Sequence, residues 1–131
     1  VDLLCGANLV PQPGVVMEVV RAEVLGLCFG VRDALAATAA VADPRRVTIH
    51  GELVHNEEVI DRLRVRGFRM ADEDDRDRLA DTPAVLVTAH GVSDRERRRL
   101  AAAGKDVIDT TCPLVRRVHL AAQKLQREGY H

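Results

Sequence analysis

Short runs of β-branched and aliphatic residues alternate with longer stretches of helical periodicity along most of this 131-residue chain. Such alternation is typical of α/β layer folds, in which each helix carries the chain back across the sheet and the strands therefore run parallel. We predict an α/β fold with a mostly parallel sheet and flanking helices. The predicted strands cover residues 15–25, 47–50, 84–88 and 107–108, with a brief edge strand at 68–71.

Glycines, prolines and capping residues mark the ends of the four predicted helices. An Ala-rich helix starts at Val31 and is stopped by Pro44, and a second helix is closed by Gly67. Ser93 and Glu96 form an S-x-x-E capping box that opens the third helix. The last helix covers residues 113–129 and is amphipathic.

Composition excludes several classes of partner. The chain holds 19 Lys and Arg against 20 Asp and Glu, and 2% of its residues are aromatic. A near-neutral chain with few base-stacking side chains is a poor nucleic-acid binder. Its apolar runs fall short of the ~20 residues of a membrane span. We expect neither nucleic acid nor membrane as a partner.

Three cysteines, Cys5, Cys28 and Cys112, are an odd number without the density of a disulfide scaffold. The first apolar stretch lacks the basic leader of a secretory signal. We therefore expect a reducing, cytoplasmic setting, in which cysteines bind metal, catalyse or pack. Cys5 falls in an irregular extension, residues 1–16, and is interpreted as an inert thiol.

Four chemically competent side chains follow the predicted strands: Cys28, His55, His90 and Cys112. In open α/β sheets the ligand crevice lies beyond the carboxyl ends of the strands, so these residues are predicted to share one rim. Each cysteine also precedes a predicted helix, whose N-terminus favours a negative charge such as a thiolate or a phosphate.

The remaining histidines are interpreted as ordinary structural residues. His50 ends a strand, His119 falls inside the last helix, and His131 is the final residue. The arginines that follow Ser93 are interpreted as a solvated helix face.

Four motifs occur in a distinctive order: LCFGV at 27–31, ELVHN at 52–56, AHGVS at 89–93 and DTTCPLV at 109–115. Together they resemble the N-terminal part of the 4-hydroxy-3-methylbut-2-enyl diphosphate reductase family, the last enzymes of the non-mevalonate pathway of isoprenoid biosynthesis. The resemblance covers about residues 17–130. It implies the first of three α/β domains arranged around an iron–sulfur cluster.

The resemblance also implies roles for the rim residues. Cys28 and Cys112 match two ligands of a 4Fe-4S cluster, and His55 and His90 match two histidines that contact the substrate diphosphate. The family removes the substrate hydroxyl by two-electron reduction and releases isopentenyl and dimethylallyl diphosphate. A ferredoxin- or flavodoxin-type protein would supply the electrons one at a time.

Departures from the family pattern shape what we expect of this chain. Leu27 stands where the family usually has Phe, and nothing here matches the family's third cysteine, third histidine or proton-relay acid. We divide the chain into an extension (1–16), a first α/β domain (17–111) and a helix that begins a truncated second domain (112–131). We expect this chain alone to be inactive. Its last helix should expose an apolar stripe and self-associate.

Two other interpretations stay open from the residues. One is a non-catalytic small α/β domain that binds phosphate or a partner chain through the same rim. The other is a zinc site made of the two cysteines with one or both histidines, because zinc accepts such mixed ligands.

Overall fold

A parallel sheet of four strands organises the computed structural model, which describes residues 18–23, 26–71 and 78–130. The strands are β1 (Val47–His50), β2 (Arg69–Met70), β3 (Ala84–Val87) and β4 (Asp106–Asp109). They lie in the order β2-β1-β3-β4, and every neighbouring pair is parallel. The predicted α/β fold with a mostly parallel sheet is thus confirmed.

Four helices alternate with these strands: α1 (Phe29–Ala40), α2 (Glu57–Val65), α3 (Asp94–Ala102) and α4 (Pro113–Arg127). A short 3₁₀ turn, Pro44–Arg46, precedes β1. The side chains of Asn56 and Ser93 cap α2 and α3 by accepting backbone N–H bonds from the residue three positions on. Cys28 and Cys112 occupy the N-cap positions of α1 and α4, and neither makes a side-chain cap bond.

Alternate strand residues point to opposite faces of the sheet, and each face has its own apolar core. Ile49 and Leu86 are fully buried on the face that packs against α1 and α2. Val85 and Val87 are buried on the other face with Leu100 of α3. The sheet is therefore covered on both sides, as a parallel sheet requires.

The predicted first strand is wrong where the structure describes it. Residues 18–23 form no strand, and Val19 and Val20 are 80% and 84% exposed. A β-branched run becomes a strand only when a neighbouring strand accepts its backbone bonds, and among the described residues the sheet consists of β2, β1, β3 and β4, none of which pairs with residues 18–23. Residues 15–17 and 24–25 of that prediction lie outside the described residues, as do the whole 1–16 extension with Cys5, and His131.

Helix α4 carries the exposed apolar stripe expected of the last helix. Leu114, Val118 and Leu125 are 49–66% exposed, and none of the residues of α4 is buried. Within the described part of the chain, no helix is both long and apolar enough to cross a membrane.

Candidate functional site

The segments that follow β3 and β4 are hydrogen-bonded to each other beyond the ends of their strands. The backbone N–H of Thr110 donates to the carbonyl of Val87 (3.1 Å), and that of Cys112 donates to the carbonyl of Ala89 (3.0 Å). The parallel ladder thus continues past the sheet and brings the Thr-Thr-Cys segment beside the Ala-His-Gly segment.

The Cys112 thiol packs closely against the start of α1. A Cβ atom built on Gly30 would lie 2.8 Å from Sγ and 2.9 Å from Cβ of Cys112, so only glycine fits without displacement. Gly30 is two residues after Cys28, the exposed N-cap of α1. Both cysteine-bearing helix starts therefore meet at this edge of the sheet, and both thiols are free of disulfides.

The two predicted histidines also come together. The ring centroids of His55 and His90 are 6.2 Å apart. His55 lies just before α2, and its Nδ1 is 2.8 Å from Oε2 of Glu52. That contact orients the ring and leaves Nε2 for a further partner. Both histidines are exposed at the rim.

Two histidines interpreted as structural lie on the same cavity as His90. His50, His90 and His119 line a cavity of about 860 Å³ between α3 and α4, together with Glu96 and Gln123. His50 is buried, and its Nε2 is 3.7 Å from Oε1 of Glu96.

A smaller cavity of about 250 Å³ lies on the other side of the Thr-Thr-Cys segment. Its lining includes Gly30, Asp33, Thr111 and Cys112. Gly91 lies close to residues of both cavities, because an added Cβ there would lie 2.8 Å from Thr111 and 3.2 Å from His119. Of the four predicted rim residues, His90 lines the larger cavity and Cys112 lines the smaller one.

Asp109, at the end of β4, is the main charged anchor beside these cavities. Burial alone would raise the pKa of its carboxyl. The hydrogen bonds from the hydroxyl and N–H of Thr111 and from Arg97 outweigh that effect and lower the pKa from 3.8 to about 2. Arg97 is therefore an ion-pair partner rather than part of a wholly solvated face, which corrects the interpretation of that arginine cluster.

The described residues hold no group of three or more His, Cys, Asp or Glu side chains that could bind a metal ion. The zinc alternative needs three or four such ligands in one place, so this part of the chain gives it no support.

Comparison with known proteins identifies the family of this chain. The sequence model of the family described as LytB protein matches residues 19–131. This chain belongs to that family. The resemblance carried by the four motifs is thus confirmed.

Relatives in the family carry a common name. The 4-hydroxy-3-methylbut-2-enyl diphosphate reductase of Pseudothermotoga lettingae is 35% identical over 115 residues, which cover 87% of this chain and 41% of that protein. The reductase of the same name from Deinococcus radiodurans is 42% identical over 110 residues, which cover 80% of this chain and 33% of that protein. This chain spans well under half the length of these curated relatives.

Solved structures of the family share the fold. The structure of an (E)-4-hydroxy-3-methyl-but-2-enyl diphosphate reductase, the terminal enzyme of the non-mevalonate pathway, matches with a TM-score of 0.65 and 32% identity, over 80% of this chain and 37% of that one. The Plasmodium falciparum E-1-hydroxy-2-methyl-but-2-enyl-4-diphosphate reductase matches with a TM-score of 0.66 and 28% identity, over 80% and 33% of the two chains.

The contact between Gly30 and Cys112 predicts an unusual substitution effect. Alanine is ordinarily favoured over glycine in a helix. Here Gly30→Ala should lower the free energy of unfolding by about 1–3 kcal/mol, because the new methyl overlaps Cys112. Urea unfolding of the 131-residue chain measures this loss. In a Cys112→Gly background both overlapping atoms are gone, so the same substitution should be neutral or stabilising. An equal loss in both backgrounds would contradict the close contact.

The lowered pKa of Asp109 predicts a pH-dependent contribution to stability. A carboxyl whose folded pKa lies below its unfolded value stabilises the fold above pH 3.8, and the benefit disappears as pH falls toward 2. Between pH 5 and pH 2 the unfolding free energy should fall by about 2 kcal/mol more in the parent chain than in Asp109→Asn. Asp106→Asn, at an exposed position of the same strand, is the control and should follow the parent. Parallel curves for the parent and Asp109→Asn would refute the prediction.

Proposed function

We propose that this chain forms the part of a 4-hydroxy-3-methylbut-2-enyl diphosphate reductase that supplies two cluster ligands and part of the diphosphate site. The observation that carries the proposal is that the four family motifs converge at one edge of the sheet. Cys112 packs against Gly30 of the first motif, and His55 and His90 of the other two lie side by side.

Cys28 and Cys112 would hold the iron–sulfur cluster. Thiolates are the ligands that such clusters take. Both thiols are free, and neither is used to cap its own helix. Neither α1 nor α4 has an acidic residue in its first turn, so both helix starts keep their affinity for negative charge. The two residues fit as one part of a ligand set, and further ligands must come from outside the described residues.

His55 and His90 would bind the substrate diphosphate. Their rings are close enough for both to reach one phosphate group, and both face solvent at the rim. Because Nδ1 of His55 contacts Glu52, Nε2 is the ring nitrogen left to meet an anionic oxygen. Glu52 thereby orients the ring.

The proposed reaction is the reductive removal of the substrate hydroxyl, which yields isopentenyl and dimethylallyl diphosphate. When bound, the cluster supplies single electrons and a Lewis-acidic iron. A ferredoxin- or flavodoxin-type donor would deliver the two electrons. The free thiols suit a reducing compartment, which supports a cytoplasmic location.

The two halves of this proposal are separable in one experiment on the 131-residue chain. Cys28→Ser and Cys112→Ser should lower iron and sulfide content after anaerobic reconstitution, yet keep the parent's affinity for inorganic diphosphate. His55→Ala and His90→Ala should do the reverse, with a weakening of diphosphate binding by about tenfold for one lost charge-assisted bond. Metal analysis and isothermal titration measure the two properties.

Two control variants test whether these effects are specific to the proposed site residues. Cys5→Ser should leave iron content unchanged, because Cys5 matches no ligand of the family. Lys124→Gln should leave diphosphate binding unchanged, because Lys124 lies near the far end of α4. Full iron loading by both cysteine variants would overturn the cluster assignment. Unchanged diphosphate affinity in both histidine variants would instead favour a domain with no substrate site.

We further propose that the 131-residue chain has no turnover by itself and self-associates through the stripe on α4. It offers two thiolates and no counterpart of the family's proton-relay acid, and general acid catalysis alone contributes roughly 10²–10⁴-fold. The exposed Leu114, Val118 and Leu125 form the apolar surface for association. An anaerobic assay with a reduced one-electron donor and authentic substrate, combined with light scattering, tests both points. Turnover by a monomer would refute them.

A further inference from the structure

The segment between β4 and α4 is pinned on one side by the neighbouring loop. Thr110 and Cys112 donate their backbone N–H groups to the carbonyls of Val87 and Ala89. The Thr110 hydroxyl donates to the same Val87 carbonyl at 2.6 Å. These bonds hold the segment on the side that faces the loop after β3. The opposite side of the segment must be held by other contacts.

Asp109 fixes that other side. Its Oδ1 accepts the backbone N–H of Thr111 at 3.0 Å and also the Thr111 hydroxyl. Its Oδ2 accepts from Arg97 at 2.6 Å and from Arg116 at 2.8 Å. A carboxylate has about four lone-pair sites, and all four are therefore used. The side chain is only 16% exposed, so water competes little for these bonds.

This arrangement replaces an ordinary helix cap. An N-cap side chain usually accepts an N–H from the first turn of its own helix. Cys112 does not, and its thiol stays available. The first turn of α4 is instead tied back through Arg116, whose N–H donates to the Cys112 carbonyl at 2.9 Å while its guanidinium binds Asp109.

We propose that Asp109 is a positioning residue for the Cys112 thiol. By binding Thr111, which precedes Cys112 in the chain, and Arg116, which follows it, Asp109 keeps the sulfur against Gly30. This positioning role rests on the proposed function only in the identity of the group that the Cys112 thiol binds, the iron–sulfur cluster. Without the carboxylate, the Thr111–Cys112 turn keeps its bonds to the β3 loop and loses its fixed orientation toward α1.

The test follows the two cysteines in the apo 131-residue chain under native conditions. Peptide-resolved alkylation gives the rate at Cys112 relative to Cys28, and hydrogen exchange gives the protection of the Thr111 and Cys112 amides. Asp109→Ala should raise exchange at these amides about tenfold, the effect of losing about one hydrogen bond, and should change the Cys112-to-Cys28 rate ratio several-fold. Asp106→Asn, on the same strand, is the matched control and should change neither quantity.

A merely structural role gives a different pattern. It would raise exchange throughout β4 and α4 with the alkylation ratio unchanged, and that result overturns the proposal. A lower unfolding midpoint is expected in either case, because the Asp109 carboxylate contributes to stability. The proposal is also overturned if amide exchange and the alkylation-rate ratio of Asp109→Ala both stay within about twofold of the parent. Changes that small would mean that no hydrogen bond is lost. Should Asp109→Ala fail to fold, Arg116→Gln removes the more exposed of the two guanidinium groups that bind Asp109. It should shift the Cys112-to-Cys28 alkylation ratio in the same direction.

Iron loading separates this proposal from the proposed function. A changed alkylation ratio in Asp109→Ala, together with full iron loading by both Cys28→Ser and Cys112→Ser, refutes the cluster assignment and leaves the positioning role standing. Lowered iron loading in those two cysteine variants, with an unchanged ratio and unchanged exchange in Asp109→Ala, refutes the positioning role alone.

Discussion

Strand β3 is the element on which the rest of the arrangement depends. It pairs with β1 on one side and β4 on the other, and three of its four residues are buried. Parallel register carries the alignment of the strands into the loops beyond them, where Val87 and Ala89 accept bonds from Thr110 and Cys112. A slip of one residue between β3 and β4 would exchange the faces of every side chain on β4 and move Asp109 away from Thr111.

Sequence reasoning succeeded where burial leaves little choice. The runs at 47–50 and 84–87 are short, rich in β-branched and aliphatic residues and bounded by turn residues, and the observed strands agree with the predicted ones to within a residue. The same reasoning failed for Val19 and Val20, because β-branched composition indicates a strand but does not provide a neighbour for it. Strand existence depends on pairing, which the order of residues along a chain does not display.

The candidate site likewise contains residues that the sequence predicts and a contact that it does not predict. The strand-end rule predicts that His55, His90 and Cys112 lie at one edge, and the structure places them there, since His55 lies beside His90 and Cys112 is hydrogen-bonded to Ala89. It did not find the pairing of Arg97 with Asp109, since those residues are on successive elements and the pairing depends on the packing of α3 against β4. A row of arginines on a capped helix is usually solvated, and only the fold shows that Arg97 reaches Asp109.

The helix termini show how charge is distributed around this edge. Helices α2 and α3 carry acidic residues in their first turns, which offset the positive ends of their dipoles. Helices α1 and α4 carry none, and each begins with a cysteine. An anion near these two helix starts gains roughly 0.3–1 kcal/mol from each dipole. Because the carboxylate of Asp109 is already bound to two guanidinium groups, it adds little repulsion toward an anion that approaches these two helix starts.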